Sequence, residues 1–155
     1  MTNISMYTMC LVIDGEKVLL INRPPDKGFP GYIGPGGKVE FPESLTEGTI
    51  REVREETGLV ISNLRYKGLD EYVDEINDER YMVFNYITNT FKGHLLDSPP
   101  EGELKWVDIS KAMELPMQDW FKERFPLFFE KGTFEKHIVW DDKEKKAINA
   151  VVTRH

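Results

Sequence analysis

Residues 37–59 read GKVEFPESLTEGTIREVREETGL, and their spacing decides the fold. Gly37 is followed after five residues by Glu43, and seven more lead to Arg51-Glu52-Val53-Arg54-Glu55-Glu56-Thr57-Gly58-Leu59. In pattern form this is G-x5-E-x7-R-E-U-x-E-E-x-G-U, with U an aliphatic residue: nine specified positions at fixed spacing. So many constraints make a chance match improbable.

The physical reading starts with a helix over 43–57. Ser44 and Glu47 form a capping box at its start. Gly58 stands where a left-handed C-terminal cap is expected. Leu45, Thr49 and Val53, with Ile50, supply a face to bury. Gly48 costs roughly 1 kcal/mol relative to alanine, and suggests a close approach of the helix to a sheet. The other face carries Glu52, Glu55 and Glu56. Like charges at this spacing destabilise a free helix by roughly 0.2–0.5 kcal/mol per pair. Charge runs are ordinarily solvated faces, and Glu47–Arg51 and Arg51–Glu55 are favourable i,i+4 pairs. Yet three clustered carboxylates also suit a hard cation such as Mg2+, which keeps several waters.

The preceding loop, Gly34-Pro35-Gly36-Gly37-Lys38, favours the second reading. Adjacent glycines allow close backbone approach, a carbonyl there can join a metal shell, and Lys38 can meet a phosphate as a point charge. Loop and acidic helix together form a phosphate-and-metal cradle.

Composition sets the outer limits. The chain has 155 residues, 40% of them hydrophobic, which fits one domain over 1–155 with a real core. A net charge of −7 argues against general nucleic-acid binding. Cys10, the lone cysteine, lies in an apolar strand pattern and reads as a buried small side chain. His94, His137 and His155 are too scattered for a zinc cluster. The sequence shows neither a signal peptide nor an apolar run of membrane-spanning length, so the cytoplasm is the expected location. Nothing demands an oligomer; monomer and homodimer both remain open.

Strands are expected at 5–13 and 17–22, joined at Asp14-Gly15, a strong hairpin signal. Further strands are expected at 60–61, 64–73, 79–91 and 104–109, with Asn77-Asp78 as a turn. Ser110 is read as the cap of a short helical turn. Residues 118–130 read as helix interrupted by Pro126, and 133–140 and 147–153 as a closing strand pair. The implied architecture is α/β, a mixed sheet between helices.

The box at 37–59 closely resembles the signature of the Nudix hydrolases, which split a diphosphate linked to another group using divalent metal and water. A weaker similarity to the MutT-type branch extends over nearly the whole chain, through Tyr7-Thr8, Val18-Leu19-Leu20, Leu104 to Ile109 and Phe125-Pro126-Leu127. That branch comprises nucleoside triphosphate and oxidised-purine pyrophosphohydrolases. The resemblance implies the Nudix fold, an α/β/α sandwich. It also implies Mg2+, or Mn2+ in its place, held by the Gly36 carbonyl and by Glu52, Glu55 and Glu56. Glu52 would orient or deprotonate water, and Arg51 would hold the carboxylates, with Glu43 as a partner. A further acid from the loop before Trp106 is expected. Glu101 fits best and Glu103 is the runner-up, although both read equally well as solvated loop acids.

Metal would neutralise the diphosphate, lower the pKa of water and align attack at phosphorus, and a carboxylate would take the proton. No G-x-S-x-G elbow is present and Cys10 has no evident base, so a covalent intermediate is not required.

The substrate side departs from the family pattern. Members acting on oxidised guanine often carry Asn just before the glycine loop. Ile33 stands there, with no side-chain donor or acceptor. Trp120 or Phe29 could stack on a purine, Asp119 could accept from a ring N–H, and Thr8 and Asn22 could line the same cleft. An aromatic residue after a helix start is, however, more often core than ligand. Arg23 and Lys38 are the candidate cations for phosphate. The expected substrate is a purine nucleoside triphosphate of the 8-oxo-dGTP type. The alternatives are a guanosine alarmone (ppGpp or pppGpp), NADH or ADP-ribose. A non-catalytic nucleotide sensor would be expected to lose box acids, and all of them are present here.

Overall fold

Capping chemistry places the central helix. In the computed structural model, which describes residues 1–155, helix α1 spans Leu45–Thr57. The Ser44 hydroxyl accepts from the Glu47 N–H at 3.0 Å, and the Glu47 carboxylate accepts from the Ser44 N–H. Two otherwise orphaned donors are thereby satisfied. Gly58 ends the helix in the left-handed region at φ 87°, its N–H bonded to the Arg54 carbonyl. Glu43, expected inside the helix, lies in the turn before it and accepts from the Glu40 N–H at 2.8 Å. Gly48 serves a different neighbour from the one expected. A Cβ there would come within 2.9 Å of the Glu43 Oε1, so the glycine makes room for that carboxylate and not for a strand.

Eleven strands surround this helix: β1 (Asn3–Asp14), β2 (Lys17–Arg23), β3 (Gly31–Ile33), β4 (Gly36–Lys38), β5 (Val60–Ser62), β6 (Arg65–Asp74), β7 (Glu79–Thr88), β8 (Thr90–Lys92), β9 (Glu103–Asp108), β10 (Phe134–Asp141) and β11 (Lys146–Arg154). The second helix, α2, spans Asp119–Arg124. Strands β1 and β2 form the expected hairpin but share only the pairs Ile13↔Val18 and Asp14↔Lys17. They then part. Strand β1 runs parallel to β7 from Asn3↔Glu79 to Val12↔Thr88 and antiparallel to β4. Strand β2 takes β3 and β9, both antiparallel. The result is a mixed nine-stranded sheet in the order β11-β10-β6-β7-β1-β2-β3, with β4 on β1 and β9 on β2.

Alternation along β1 sends successive side chains to opposite faces. Met9 and Leu11 pack with Val83, Ile87, Phe121, Phe125 and Phe128. Cys10 and Val12 pack with Val53, Leu59, Ile61 and Tyr86. Helix α1 thus covers one face, and α2 with the following turn of 3-10 helix, Phe125–Phe129, covers the other. This is the expected α/β/α sandwich. Cys10 is fully buried, and burial pushes its thiol pKa up. No helix is long and apolar enough to cross a membrane.

Two local expectations are corrected. The run 79–91 is not one strand. The Thr88 hydroxyl donates to the Ser62 carbonyl at 2.5 Å and accepts from the Thr90 N–H at 3.1 Å, turning the chain so that β8 pairs with β5 instead. Ser110 is not a cap either: the 3-10 helix Ile109–Glu114 starts after Asp108, with no side-chain cap bond.

Candidate active site

The site arises where the two halves of the sheet separate. Between β3, which pairs with β2, and β4, which pairs with β1, the chain crosses the gap through Gly34-Pro35. The crossing is tied down by the Cys10 N–H, which donates to the Pro35 carbonyl at 2.9 Å. A Cβ on Gly36 would collide with the Thr8 carbonyl, and one on Gly37 with the Glu52 carboxylate. Glycine is therefore needed twice, once for strand pairing and once to seat Glu52 on the loop.

Arg51 organises the acids. Its Nε and one terminal nitrogen donate to the two Glu43 oxygens at 3.0 and 2.7 Å, a two-pronged bond. The other terminal nitrogen donates to Glu52 at 2.9 Å and to Glu55 at 3.1 Å. A fifth bond reaches the Lys38 carbonyl at 3.0 Å. The Arg51 bond, reinforced by the Glu40 N–H, holds the Glu43 carboxyl down at a pKa of about 2. Burial pushes the Glu52 carboxyl up despite Arg51.

Glu56 has no cationic contact of this kind. It accepts from the Gly36 N–H at 2.7 Å. Burial pushes its pKa up to about 8, the Gly36 bond opposes the shift, and the charges of Glu52 and Glu101 add to it. Arg23 lies 3.6 Å from Glu101 and also acts on Glu56. Glu101 is half-buried and ion-paired to Arg23, whereas Glu103 is exposed on β9.

The oxygens that could hold a metal are all hard: three carboxylates on one helix face, Glu101 and the backbone of Gly36. That chemistry fits a divalent cation of the Mg2+ class. The side chains do not yet converge, since no three of them are arranged to enclose an ion. Glu52 and Glu55 lean on Arg51, and Glu56 on the loop N–H.

A second feature was not read from the sequence. Tyr72, Tyr81 and Tyr7, on β6, β7 and β1, stack in a row across the sheet with ring centroids 5.1 and 4.5 Å apart. Trp120 closes one end, 5.4 Å from Tyr72 and 5.3 Å from Tyr81. At the other end Tyr7 pairs with Lys38. The Lys38 carbonyl accepts from Arg51 at 3.0 Å, so this end of the row adjoins the acid-bearing loop. Helical or strand periodicity marks these residues as buried faces; only the pairing register shows that they form one row.

The remaining expected residues divide. Ile33 is half-buried and packs with the apolar cluster under α2. Asn22 is half-buried on β2 opposite Tyr32. Thr8 does not open into the cleft: it is 2% exposed, its hydroxyl has no partner, and alternation turns it away from Tyr7. Asp119 does not join Trp120 either. It lies on the outer side of α2, where it lines a shallow surface hollow with Lys122, Glu123 and Pro126. The acid that meets Trp120 is Asp70, whose Oδ2 accepts from the indole N–H at 2.6 Å. Phe29 is exposed at the rim, where its carbonyl accepts from the Gln118 amide.

Comparison with known proteins accounts for the box. The family model described as the NUDIX domain matches residues 6–128. The chain belongs to the Nudix hydrolases. An uncharacterized Nudix hydrolase, YvcI of Bacillus subtilis, is 34% identical over 120 residues, spanning 76% of this chain and 74% of the relative. The oxidized purine nucleoside triphosphate hydrolase of Mus musculus is 26% identical over 147 residues, spanning 93% and 92%. Among solved structures, the mutator protein MutT of Bacillus halodurans superposes with a TM-score of 0.82 at 27% identity, covering 96% of this chain and 97% of its own. This Nudix hydrolase is therefore an enzyme of the pyrophosphohydrolase type, and members of its family generally act with a divalent metal.

The Gly37 contact carries a first prediction. Gly37→Ala forces the Glu52 carboxylate off its seat without backbone strain. A displacement of this order costs about 100-fold in kcat, with a melting temperature close to native. Steady-state rates beside a thermal melt check this, and native turnover would refute the seating of Glu52.

Proposed function

We propose that this Nudix hydrolase is a Mg2+-dependent pyrophosphohydrolase, with Mn2+ able to substitute, acting on a purine nucleoside triphosphate. Its products are the monophosphate and diphosphate, and its substrates include oxidised forms of the 8-oxo-dGTP type. The carrying observation is the aromatic row that runs from Trp120 to Tyr7, which pairs with Lys38 on the loop bonded to Arg51 of the acid cluster. A flat base needs a stacking wall, and a triphosphate needs cations and metal. The near full-length similarity to the mouse oxidized purine nucleoside triphosphate hydrolase supports the same reading.

The division of labour follows from position. The Gly36 carbonyl, Glu52, Glu55, Glu56 and Glu101 would hold the metal. Bound there, it would supply charge neutralisation at the diphosphate and acidify water. Glu52, raised by burial and oriented by Arg51, takes the proton of the attacking water. Lys38 and Arg23 meet the phosphates as cations. Trp120 stacks on the base.

A second reading keeps the chemistry and changes the leaving group. Ile33 offers no amide to the edge of an oxidised guanine, which keeps a guanosine alarmone, NADH or ADP-ribose as the alternative substrates. One panel separates the two: phosphate release or product identity from 8-oxo-dGTP, dGTP, GTP, ppGpp, NADH and ADP-ribose, with Mg2+ and with EDTA. The proposal expects a purine triphosphate to lead by at least about tenfold in kcat/KM, and EDTA to abolish turnover. A lead for ppGpp or a dinucleotide would replace it with the second reading.

A further inference from the structure

Asp70 is a buried carboxylate that the box chemistry does not use. It is 0% exposed, sits on β6 opposite Val83, and is flanked on β10 by Lys136. Its Oδ2 accepts two bonds, from the Trp120 indole N–H at 2.6 Å and from Arg124 at 3.0 Å. Its Oδ1 has no partner. Lys136 is committed elsewhere, to Glu123 at 2.6 Å. Arg124 is 3% exposed and lies 5.6 Å from the centre of the Trp120 ring.

A buried ion pair is a poor device for stability alone, because desolvation offsets most of the attraction and apolar side chains would fill the space as well. This pair does something an apolar pair cannot. Asp70 holds the indole by its N–H, and Arg124 holds it through the ring. Trp120 is half-buried, so its packed side is fixed while part of the ring stays accessible. With its only donor turned inward, the ring offers a ligand a π surface and no hydrogen bond.

We propose that Asp70 is a positioning residue for the nucleobase, acting through Trp120 and Arg124 to set the stacking wall of the substrate cleft. This rests on the assignment of Trp120 as that wall. Recognition at this end is then by stacking, with no base-edge reading by the indole.

The test separates the base end from the phosphate end. Inhibition constants of GMP and of inorganic diphosphate are measured for the native enzyme, Trp120→Leu, Asp70→Asn and Asp70→Leu/Arg124→Met. The double variant removes both charges at similar volume and keeps the protein folded if the single change does not. The expected result for the double variant is a GMP constant raised about tenfold, an unchanged diphosphate constant and kcat within about threefold of native, with Asp70→Asn, whose amide oxygen still accepts from the indole, between native and the double variant. A purely structural pair predicts a native GMP constant in the folded double variant, and that result overturns the proposal. If Trp120→Leu raises the GMP constant and the Asp70 variants do not, only the role of Asp70 fails. If Trp120→Leu itself leaves the GMP constant unchanged, the stacking assignment fails with it.

Discussion

Glu52→Gln is expected to lower kcat by about 1,000-fold or more while the protein stays folded. Glu52 is the box acid seated against the Gly37 backbone, with its side chain 17% exposed. Glutamine keeps the shape and can still accept the Arg51 bond of 2.9 Å. It cannot take a proton, and it is a weaker ligand for a hard cation. The loss should therefore fall on kcat, with a modest change in KM. Glu55 is 54% exposed and shares the same guanidinium nitrogen, so Glu55→Gln should cost less. Phosphate release with Mg2+, read beside a thermal melt, compares the two. Native turnover in Glu52→Gln would remove Glu52 from the chemistry.

Glu56 makes the metal-free protein less stable as pH rises. Burial lifts its carboxyl from the ordinary 4.5 to about 8 in the folded chain. Between those values the folded state holds a proton that the unfolded chain has released. The stabilisation is complete below about pH 4.5 and is lost as pH climbs through about 8. At ~1.4 kcal/mol per pKa unit the full effect is on the order of a few kcal/mol. In EDTA the melting temperature should fall steadily from pH 5 to pH 8 and level off above. Glu56→Gln should flatten that slope. Divalent metal should reverse it, releasing close to one proton per ion bound at pH 7 because a ligand carboxylate must be ionised. A pH-independent melt in EDTA, identical in Glu56→Gln, would show that Glu56 is not held protonated by the fold.

The legible parts of this protein were local. The capping box at Ser44 and Glu47, the left-handed Gly58 and the hairpin at Gly15 each depend on residues within one turn, and each forms where the pattern puts it. The acid cluster was legible for the same reason: Glu52, Glu55 and Glu56 are neighbours on any helix. Errors appeared where a residue had two local options. Asp119 and Trp120 are adjacent on a six-residue helix, and periodicity over so short a span cannot say which packs on the sheet. Thr8 follows Tyr7, and one step along a strand reverses the face.

Sequence alone determined the family and the reaction type through the resemblance of its 37–59 box, and the carboxylate face because helix geometry places residues three and four apart side by side whatever surrounds them. The tertiary structure alone decided the aromatic row. Tyr7, Tyr72, Tyr81 and Trp120 come from four separate elements, and Asp70 meets Trp120 across 50 positions of chain. They become neighbours only through the register of β6 on β7, the register of β7 on β1, and the packing of α2 over that face. Those alignments are set by burial of both sheet faces at once, which no short stretch of residues encodes.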